Sequence, residues 1–576
     1  MSHFNYSNMF IFFEKILLFV RMNRKDIFLF VFLSAICLSP NLFYIFFGSS
    51  LSGNYTKQII FFSISIIFFL IPFLIFKVRS SFLINGIFVL IAPLEIADIY
   101  LNKETVSPGF MLLILQTDFN ESSELLGSIK LLIFAYLLVY LVYFFGVSQL
   151  SKDLDLFTKK RRLVVTSLCL LLLSSLYLYF FALNSKIVPD TKDVFNSTNR
   201  SFMQKFEEIY PYDILYSINE GIKQHQTIKK TSADVEHFSF GAKQIVRTNE
   251  KEIYVLVIGE TARYANFSIN NYTRITSPLL SKITNLVSFS DVYSEANETR
   301  TSLPILLTRA TAENFKLFTK EKSIIDAFDE AGFSTYWIAN QSVGDTFIQR
   351  VVKKTRQCFF VAKKNNSSDN FDEKLWVYLD KILAKKEKKQ FIVIHTMGSH
   401  YRYDNRYPLA FNKFQPSLEG TFSYGVIDVQ NKDKLINSYD NSILYTDYFL
   451  SNTIAKISKK KGVSSLVYIS DHGENLFEKG RVLHGGISPT ISEVHVPFFV
   501  WTSEKFNQLF PQKKTSIIEN ANKSITSSVV FYSLLDLANI DIRENKKQKS
   551  ICSPLLQNDS LRFALNINEQ LIKMNK

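Results

Sequence analysis

The chain begins with long apolar stretches that alternate with short polar segments, and this pattern occupies its first third. A helix needs about 20 mostly apolar residues to cross the hydrocarbon core of a bilayer. The stretches that approach this length are Ile27–Gly48, Gln58–Phe76, Ser80–Leu94, Leu131–Leu150 and Leu163–Ser185. The third extends to about Leu101 if Glu95 and Asp98 lie near an interface. The pattern therefore predicts an α-helical membrane domain with five spans over residues 26–185.

The distribution of Lys and Arg predicts the orientation of these helices, because positively charged loops face the cytoplasm. Positive residues precede span one, separate spans two and three, and separate spans four and five. We therefore expect residues 1–25 in the cytoplasm, where Met9–Arg21 forms an amphipathic helix on the inner surface. All residues after Ser185 are expected outside. The first stretch is too long for a cleavable signal peptide and is expected to be retained.

Beyond the last span the pattern changes twice. Residues 186–245 are mixed and polar, and we interpret them as a periplasmic juxtamembrane connector. Over residues 246–576, short apolar runs of the β type alternate with helical stretches, which is typical of an α/β domain with a mostly parallel sheet. The runs are Ile253–Ile258, Phe333–Ile338, Phe391–His395, Leu466–Ile469 and Val496–Trp501.

Composition narrows the classes of partner. The formal net charge is +14, but it comes largely from scattered Lys without a basic–aromatic module, so nucleic-acid binding is not expected. A basic surface beside anionic lipid fits better. Of the four Cys, Cys358 and Cys552 could form one disulfide outside the cytoplasm, which spacing alone does not decide. No CxxC pair is present, so a Cys zinc site is not expected.

Chemically reactive side chains follow several of the predicted strands. Glu260 follows the first strand, His400 follows the third, and Asp471 and His472 follow the fourth, with His484 shortly after. In parallel α/β sheets, functional sites lie just beyond the carboxyl ends of the strands. The sequence therefore predicts that these side chains come together at one edge of the sheet.

The segment S-E-A-N-E-T-R-T-S-L-P, residues 294–304, leads into an apolar helical stretch. A helix N-terminus offers free N–H groups and a dipole that favour phosphate, and Thr299, Thr301 and Ser302 are the candidate hydroxyls there. A metal bound to such a hydroxyl would make it a reactive nucleophile. Carboxylate, imidazole and hydroxyl ligands suit a four-coordinate Zn²⁺, and manganese also suits so many oxygens.

Four ordered motifs resemble those of the phosphoethanolamine transferases, Gram-negative inner-membrane enzymes of the alkaline phosphatase/sulfatase superfamily that include the colistin-resistance enzymes. The motifs are G-E-T-A-R-Y-A-N-F-S from Gly259, T-x-x-S-x-P over 299–304, H-T-M-G-S-H over 395–400, and S-D-H-G-E…L-H-G from Ser470. The resemblance covers nearly the whole chain, because that family also has five spans followed by a periplasmic zinc domain. It implies an α/β periplasmic domain of alkaline phosphatase/sulfatase-like fold for residues 246–576.

The resemblance also implies a role for each residue that matches the family pattern. Zn²⁺ would be held by Glu260, Thr299, Asp471 and His472, and Thr299 would be the catalytic nucleophile. The resemblance implies two groups of substrate-binding residues. His400 and His484 would lie near the phosphate, where they hold a second zinc or donate protons. Thr117, Glu121 and Ser342 would contact the ethanolamine head group. Leu113 and Asp345 depart from the lipid A enzymes, which carry Asn and Lys at these positions.

The resemblance implies transfer of phosphoethanolamine from phosphatidylethanolamine to a lipopolysaccharide acceptor, either core sugar or lipid A, through a covalent phosphoethanolamine–threonine intermediate. The catalytic domain would lie in the periplasm, anchored to the inner membrane. The alternatives are a phosphoglycerol transferase of the lipoteichoic-acid-synthase type, or transfer to another periplasmic glycan or protein. An alternative from another class is a non-catalytic membrane scaffold. A sulfatase is disfavoured because the chain has no C-x-P-x-R or S-x-P-x-R motif.

Overall fold

The computed structural model describes residues 22–47, 55–102, 105–116, 119–185, 194–195, 198, 209–231, 234–341, 346–361, 370–421 and 429–574. The chain divides into two units. One unit combines Met1–Met111 with Lys130–Gly221, and the other combines Leu112–Ile129 with Ile222–Lys576. The predicted amphipathic helix at Met9–Arg21 lies outside the described residues.

Helices make up most of the described residues between Arg24 and Thr231. They are α1 Arg24–Cys37, α2 Ser39–Phe47, α3 Tyr55–Ile75, α4 Val78–Asn102, α5 Pro108–Gln116, α6 Phe119–Gln149, α7 Lys159–Asn184 and α8 Tyr212–Thr231. Aromatic rings form part of the core of the first unit. Phe73 of α3 meets Phe82 of α4 edge to face, with ring centroids 5.0 Å apart.

Every predicted span coincides with one or two of these helices, but not every helix is long enough to cross a membrane. In the described residues, Val78–Tyr100 and Lys159–Tyr179 pass by length and composition, and α1 with α2 would add a third span if that pair, bent by 54°, crosses as one. The number of five spans therefore stays a prediction. Helix α4 continues past Leu101, and Glu95 and Asp98 are buried inside the unit rather than exposed.

A seven-stranded sheet forms the centre of the second unit. Its strands are β1 Glu252–Gly259, β2 Leu286–Phe289, β3 Ser334–Ala339, β4 Gln357–Phe360, β5 Lys389–His395, β6 Val463–Ser470 and β7 Phe498–Thr502. Their spatial order is β2-β7-β6-β1-β5-β3-β4. Strand β1 pairs in parallel with both β5 and β6, whereas β7 is antiparallel to β6 and β2. The carboxyl ends of β1, β5 and β6 therefore meet at one edge.

Helices and short strand pairs surround this sheet. The helices are α9 Thr299–Leu307, α10 Ile324–Glu330, α11 Thr346–Lys353, α12 Trp376–Leu383, α13 Lys432–Ser458, α14 Ile491–Val494, α15 Glu504–Leu509, α16 Pro511–Glu519 and α17 Val529–Leu537. The strand pairs are Lys243–Gln244 with Ile540–Asp541, Asn475–Leu476 with Val482–Leu483, Asp291–Tyr293 with Ser524–Thr526, and Arg562–Leu565 with Leu571–Met574.

Burial explains why the central strands read as continuous apolar runs. All residues of β1 and β6 are buried, as expected for parallel strands covered on both faces. Phe391 of β5 stacks on Phe328 of α10 with ring centroids 3.8 Å apart. The sequence did not decide whether Cys358 and Cys552 form a disulfide. In the structure both are free cysteines, Cys358 exposed and Cys552 buried.

Replacement of Phe391 by Ala is expected to destabilise the second unit by about 3–5 kcal/mol, because a large side chain is removed from a fully packed core. Urea unfolding followed by near-ultraviolet circular dichroism measures this change. The matched control is Val377→Ala on α12, where the side chain is exposed and the expected change is within about 0.5 kcal/mol. Equal effects of the two substitutions would contradict the described packing.

Candidate metal centre and active site

Two carboxylates and an imidazole converge at the carboxyl ends of β1 and β6. Gly259 pairs with Ser470 in parallel register, so Glu260 emerges beside Asp471 and His472. The Nε2 atom of His472 lies 3.4 Å from Glu260 Oε1 and 3.4 Å from Asp471 Oδ2. All three side chains are buried, and one ligand atom from each lies within 4.8 Å of the others.

Thr299, the first residue of α9, faces this group of three side chains. Its hydroxyl donates to Glu260 Oε1 at 3.0 Å, and the same Oγ1 lies 3.2 Å from His472 Nε2. Glu298 is the extended N-cap residue of α9, so the free N–H groups of the first helical turn begin at Thr299. A hydroxyl, a helix N-terminus and three charged or chargeable groups therefore share one buried site.

Hydrogen bonds around the three side chains orient their ligand atoms. His472 Nδ1 donates to the Gly473 carbonyl at 2.8 Å, so Nε2 carries the lone pair in the neutral ring. Asp471 Oδ1 accepts the backbone N–H groups of Thr261 and His472, whereas its buried Oδ2 has no hydrogen-bond partner among the described residues.

The surroundings of the Asp471 carboxylate indicate whether a cation would fit between the three side chains and Thr299. A buried polar atom without a partner costs roughly 1–3 kcal/mol, and more when it is charged. Asp471 Oδ2, Glu260 Oε1, His472 Nε2 and the Thr299 hydroxyl are the oxygen and nitrogen donors that a tetrahedral zinc ion accepts. The residues present therefore fit a divalent cation, and zinc in particular.

The charges of the three side chains are strongly coupled. Burial, together with the nearby Glu260, raises the pKa of Asp471 to about 8. Burial alone would lower the pKa of His472, but Asp471 and Glu260 raise it to about 10. Burial alone would raise the pKa of Glu260, but its contact with His472 lowers the pKa below its ordinary value. Without a cation the group therefore retains protons that a metal must displace.

Two further imidazoles lie beside this group. The ring centroid of His484 is 4.0 Å from that of His472 and 6.5 Å from that of His400. His484 Nδ1 lies 3.1 Å from Glu474 Oε1, and burial raises the pKa of Glu474 to about 8. His400 Nδ1 donates to the Tyr401 carbonyl at 2.5 Å. The structure thus places His484 beside His472, and His400 beside His484.

The loop that carries His400 passes close to Glu260. Asp372 accepts the backbone N–H groups of Met397 and Gly398. A Cβ on Gly398 would lie 2.8 Å from the Glu260 carbonyl oxygen, and its φ of +53° is in the left-handed region, which favours glycine. A side chain at position 398 would therefore push against the backbone of a candidate ligand.

Sequence reasoning missed two residues that hold this site. Gln341 Nε2 donates to Glu260 Oε2 at 2.8 Å and to the Thr396 carbonyl at 2.9 Å. Asp372 lies near the start of a helical stretch, and nothing in its sequence surroundings indicates its role. Gln341 follows β3, so the rule that sites gather at strand ends could have found it.

The three residues predicted to bind a head group cannot be placed in the same way. Thr117 and Ser342 lie outside the described residues, as does Asp345. Glu121 belongs to helix α6, of which only the backbone is described at that position. The implied contacts of these side chains with ethanolamine stay predictions.

Comparison with known proteins identifies several relatives. A family model described as Sulfatase matches residues 252–540. Phosphoethanolamine transferase EptA of Escherichia coli O157:H7 is 31% identical over 302 residues, which cover 51% of this chain and 54% of EptA. Phosphatidylethanolamine transferase Mcr-1 of Escherichia coli is 30% identical over 419 residues, which cover 68% of this chain and 72% of Mcr-1. The match thus spans about half the length of EptA.

Two solved structures resemble different extents of the chain. The C-terminal periplasmic domain of EcEptC from Escherichia coli, in complex with Zn, is 25% identical with a TM-score of 0.52, and the match covers 58% of this chain and 94% of that domain. The integral membrane protein lipooligosaccharide phosphoethanolamine transferase A of Neisseria meningitidis is 23% identical with a TM-score of 0.70, covering 91% and 97% of the two chains. The second match shows fold alone. Together they confirm a helical membrane part followed by a sulfatase-like domain.

The pH dependence of stability tests the coupled charges in protein treated with a chelator. The native pKa values of Asp471 and His472 lie above their ordinary values of 3.8 and 6.5, so the native state binds more protons than the unfolded state. Stability is therefore lost as pH rises through the range from about 4 to 8 for Asp471 and from about 6.5 to 10 for His472. We expect the thermal midpoint to fall between pH 6 and pH 9.

Asp471→Asn should flatten this fall, because the amide replaces the protonated carboxyl and does not ionise. Asp447→Asn is the matched control at another buried aspartate, whose pKa burial raises only to about 6. The pH range in which Asp447 ionises therefore ends near pH 6, where the measured range begins. A midpoint of the parent protein that rises from pH 6 to pH 9 would contradict the charge assignment.

Proposed function

Because the chain belongs to the phosphoethanolamine transferases of the alkaline phosphatase/sulfatase superfamily, we propose that it transfers phosphoethanolamine from phosphatidylethanolamine to a lipopolysaccharide acceptor, either core sugar or lipid A. The observation that carries this proposal is the position of the Thr299 hydroxyl, 3.0 Å from Glu260 Oε1 and 3.2 Å from His472 Nε2. A hydroxyl at a helix N-terminus that faces a buried group of potential metal ligands supports phosphoryl transfer through Thr299, and the relatives support phosphoethanolamine as the transferred group.

Zinc is the proposed cofactor, held by Glu260, Thr299, Asp471 and His472. Two observations support this choice: Asp471 Oδ2 has no hydrogen-bond partner in the described part of the chain, and the related EcEptC domain was solved as a zinc complex. When bound, zinc would lower the pKa of the threonine hydroxyl and offset negative charge on the phosphoryl oxygens. Glu260 and His472 orient the Thr299 oxygen, because both lie within hydrogen-bond distance of it.

In the proposed reaction, Thr299 Oγ1 attacks the phosphorus of phosphatidylethanolamine. The bond from phosphorus to the diacylglycerol oxygen breaks, diacylglycerol leaves with a proton, and phosphoethanolamine remains on Thr299. A hydroxyl or phosphate oxygen of the acceptor then attacks the same phosphorus and releases the threonine. The N–H groups at the start of α9 face the phosphoryl oxygens and stabilise the charge that develops on them.

His400 and His484 are proposed to move the protons of both steps. Each ring uses Nδ1 for a contact with the protein, to the Tyr401 carbonyl and to Glu474 respectively. Nε2 of each ring is then the atom suited to protonate the departing diacylglycerol oxygen or to accept a proton from the acceptor. Thr117, Glu121 and Ser342 remain the proposed contacts of the ethanolamine group.

The proposed location follows from the substrates, because donor and acceptor are both membrane lipids. We assign residues 1–25 to the cytoplasm, 26–185 to five spans of the inner membrane, 186–245 to a periplasmic connector and 246–576 to the periplasmic catalytic domain. Addition of an ammonium group to an anionic glycolipid would weaken its attraction for cationic peptides such as polymyxins.

Thr299→Ala is expected to lower the transfer rate by about a thousandfold or more, because loss of a nucleophile removes the covalent route. Mass spectrometry of lipid A and of core oligosaccharide, from cells with and without each variant, measures phosphoethanolamine addition. Thr308→Ala is the matched control, because Thr308 is a buried threonine that directly follows the other end of α9. Full activity of Thr299→Ala would contradict the proposed nucleophile. Addition to neither glycolipid would contradict the lipopolysaccharide acceptor.

Zinc is expected to raise the thermal midpoint of chelator-treated protein, because a ligand that binds only the native state stabilises it by about 4 kcal/mol at a thousand times its dissociation constant. Asp471→Asn should abolish most of this rise by removing one ligand oxygen. Asp447→Asn, a buried aspartate that instead accepts the N–H groups of Leu279 and Leu280, should retain it. An equal zinc response in both variants would show that zinc binds elsewhere.

A further inference from the structure

The residue after Thr299 is a buried arginine that reaches the last hairpin of the chain. Arg300 Nη1 donates to Glu569 Oε1 at 2.7 Å, and Nη2 donates to the Ile567 carbonyl at 2.7 Å. The same Nη2 lies 2.9 Å from Glu298 Oε1. Carboxylates on both sides and one carbonyl oxygen therefore hold the guanidinium in a single orientation.

This arginine runs against the usual electrostatics of a helix start. A cation in the first turn is disfavoured by the helix dipole, and burial of a charged group costs several kcal/mol unless its partners are well placed. The side chain of Arg300 is only 6% exposed. An apolar side chain would cover the same core without this cost, so packing alone does not account for the residue.

The hairpin is also joined to the segment before Thr299 through its backbone. The Leu565 N–H donates to the Glu295 carbonyl at 2.8 Å, and the Asn297 N–H donates to the Leu565 carbonyl at 3.2 Å. Residues 295–297 therefore form a single parallel bridge with the hairpin, between Ala296 and Leu565. Arg300 adds a side-chain contact just beyond this bridge, on the other side of Thr299.

The turn of the hairpin, residues 566–570, has a fixed conformation and reaches a second part of the site. Asn566 Oδ1 accepts the N–H groups of Asn568 and Gln570. Asn566 Nδ2 donates to the Ile487 carbonyl at 2.8 Å, in the loop that follows His484. One turn thus contacts both the Thr299 segment and the His484 loop.

We propose that Arg300 is a positioning residue, which fixes the Thr299 hydroxyl toward Glu260 and His472 through its contacts with Glu569 and the Ile567 carbonyl. This role rests on the proposed function of Thr299 as nucleophile. The hairpin lies beyond residue 540, where the match to the sulfatase family model ends. The turn at 566–570, which lies outside the matched region, therefore acts as a brace that holds the nucleophile in place.

The test uses Glu569, because it is partly exposed and does not touch the reacting atoms. The full-length protein loaded with zinc is mixed with phosphatidylethanolamine in detergent micelles, and intact-protein mass spectrometry follows the covalent label on Thr299. Glu569→Ala should slow labelling about tenfold, since small displacements of a reacting group cost one to two orders of magnitude. The KM for the donor should stay within about twofold, and most of the zinc should stay bound, because Glu260, Asp471 and His472 do not contact the turn.

Conservative variants separate positioning from simple stability. Glu569→Gln keeps an acceptor oxygen for Arg300 and should recover most of the labelling rate. Arg300→Lys should be intermediate, because one ammonium group does not span both partners as the guanidinium does. Lys573→Ala, exposed on the same hairpin, should label at the parental rate. Crystal structures of the parent and Glu569→Ala should differ in the distance from Thr299 Oγ1 to Glu260 Oε1.

Two results would overturn the positioning role. The first is a parental labelling rate in Glu569→Ala, and the second is a slower rate that matches a proportional loss of folded protein or zinc. Failure of the proposed function looks different, because Thr299→Ala would then transfer phosphoethanolamine normally. In that case the crystal structure of Glu569→Ala still tests the contact of the turn with the Thr299 segment. An unchanged position of Thr299 would overturn the positioning role as well, and a displaced Thr299 would support it.

Discussion

Parallel pairing of β1 with β6 aligns Gly259 with Ser470, and the candidate site depends on this register. Because side chains alternate between the two faces of a strand, a slip by one residue would turn every side chain of β6 to the opposite face. Asp471 and His472 would then leave Glu260. The apolar residues of both strands oppose such a slip, since each strand is buried along its full length. The hydrophobic core therefore fixes the geometry of the polar site.

The elements around this pair hold one group each. Strand β5, on the other side of β1, ends in the loop that carries His400, and the close approach of Gly398 to Glu260 fixes how that loop leaves the sheet. Helix α9 contributes Thr299 from outside the sheet. Its start is held by contacts of Arg300 with residues 567 and 569. Chain segments hundreds of residues apart thus determine the position of a single hydroxyl.

Local patterns in the sequence predicted the elements of the second unit well. The apolar run Ile253–Ile258 lies within β1, and Leu466–Ile469 lies within β6, because buried parallel strands leave a continuous apolar signature. The positions of Glu260 and the Asp471–His472 pair at strand ends followed from the same reasoning. Their role as metal ligands, like that of Thr299 as nucleophile, stays a prediction.

Other features depend on contacts that no local pattern encodes. The pairing of Arg300 with Glu569 joins residues 269 positions apart, and the contact of Gln341 with Glu260 joins residues 81 apart. Both involve polar residues that would read as ordinary surface positions in the sequence. The sequence left open whether Glu95 lies near an interface, and the structure shows its side chain buried, where its carboxylate accepts the Val106 N–H. Hydropathy alone does not distinguish a lipid-facing turn from one covered by protein.

The charges of the proposed ligands determine how much negative charge the rest of the site would have to offset. Two carboxylates and a neutral histidine carry the charge that one zinc ion balances, so the buried group would become neutral and lose most of the cost of burial. Deprotonation of Thr299 and entry of a phosphodiester each add one negative charge. The ligands would have no positive charge left to offset these, so the free N–H groups at the start of α9 would offset part of them. Burial lowers the pKa of His484 well below its ordinary value, so this imidazole is neutral and would act on the phosphoryl group as a hydrogen-bond donor rather than as a cation.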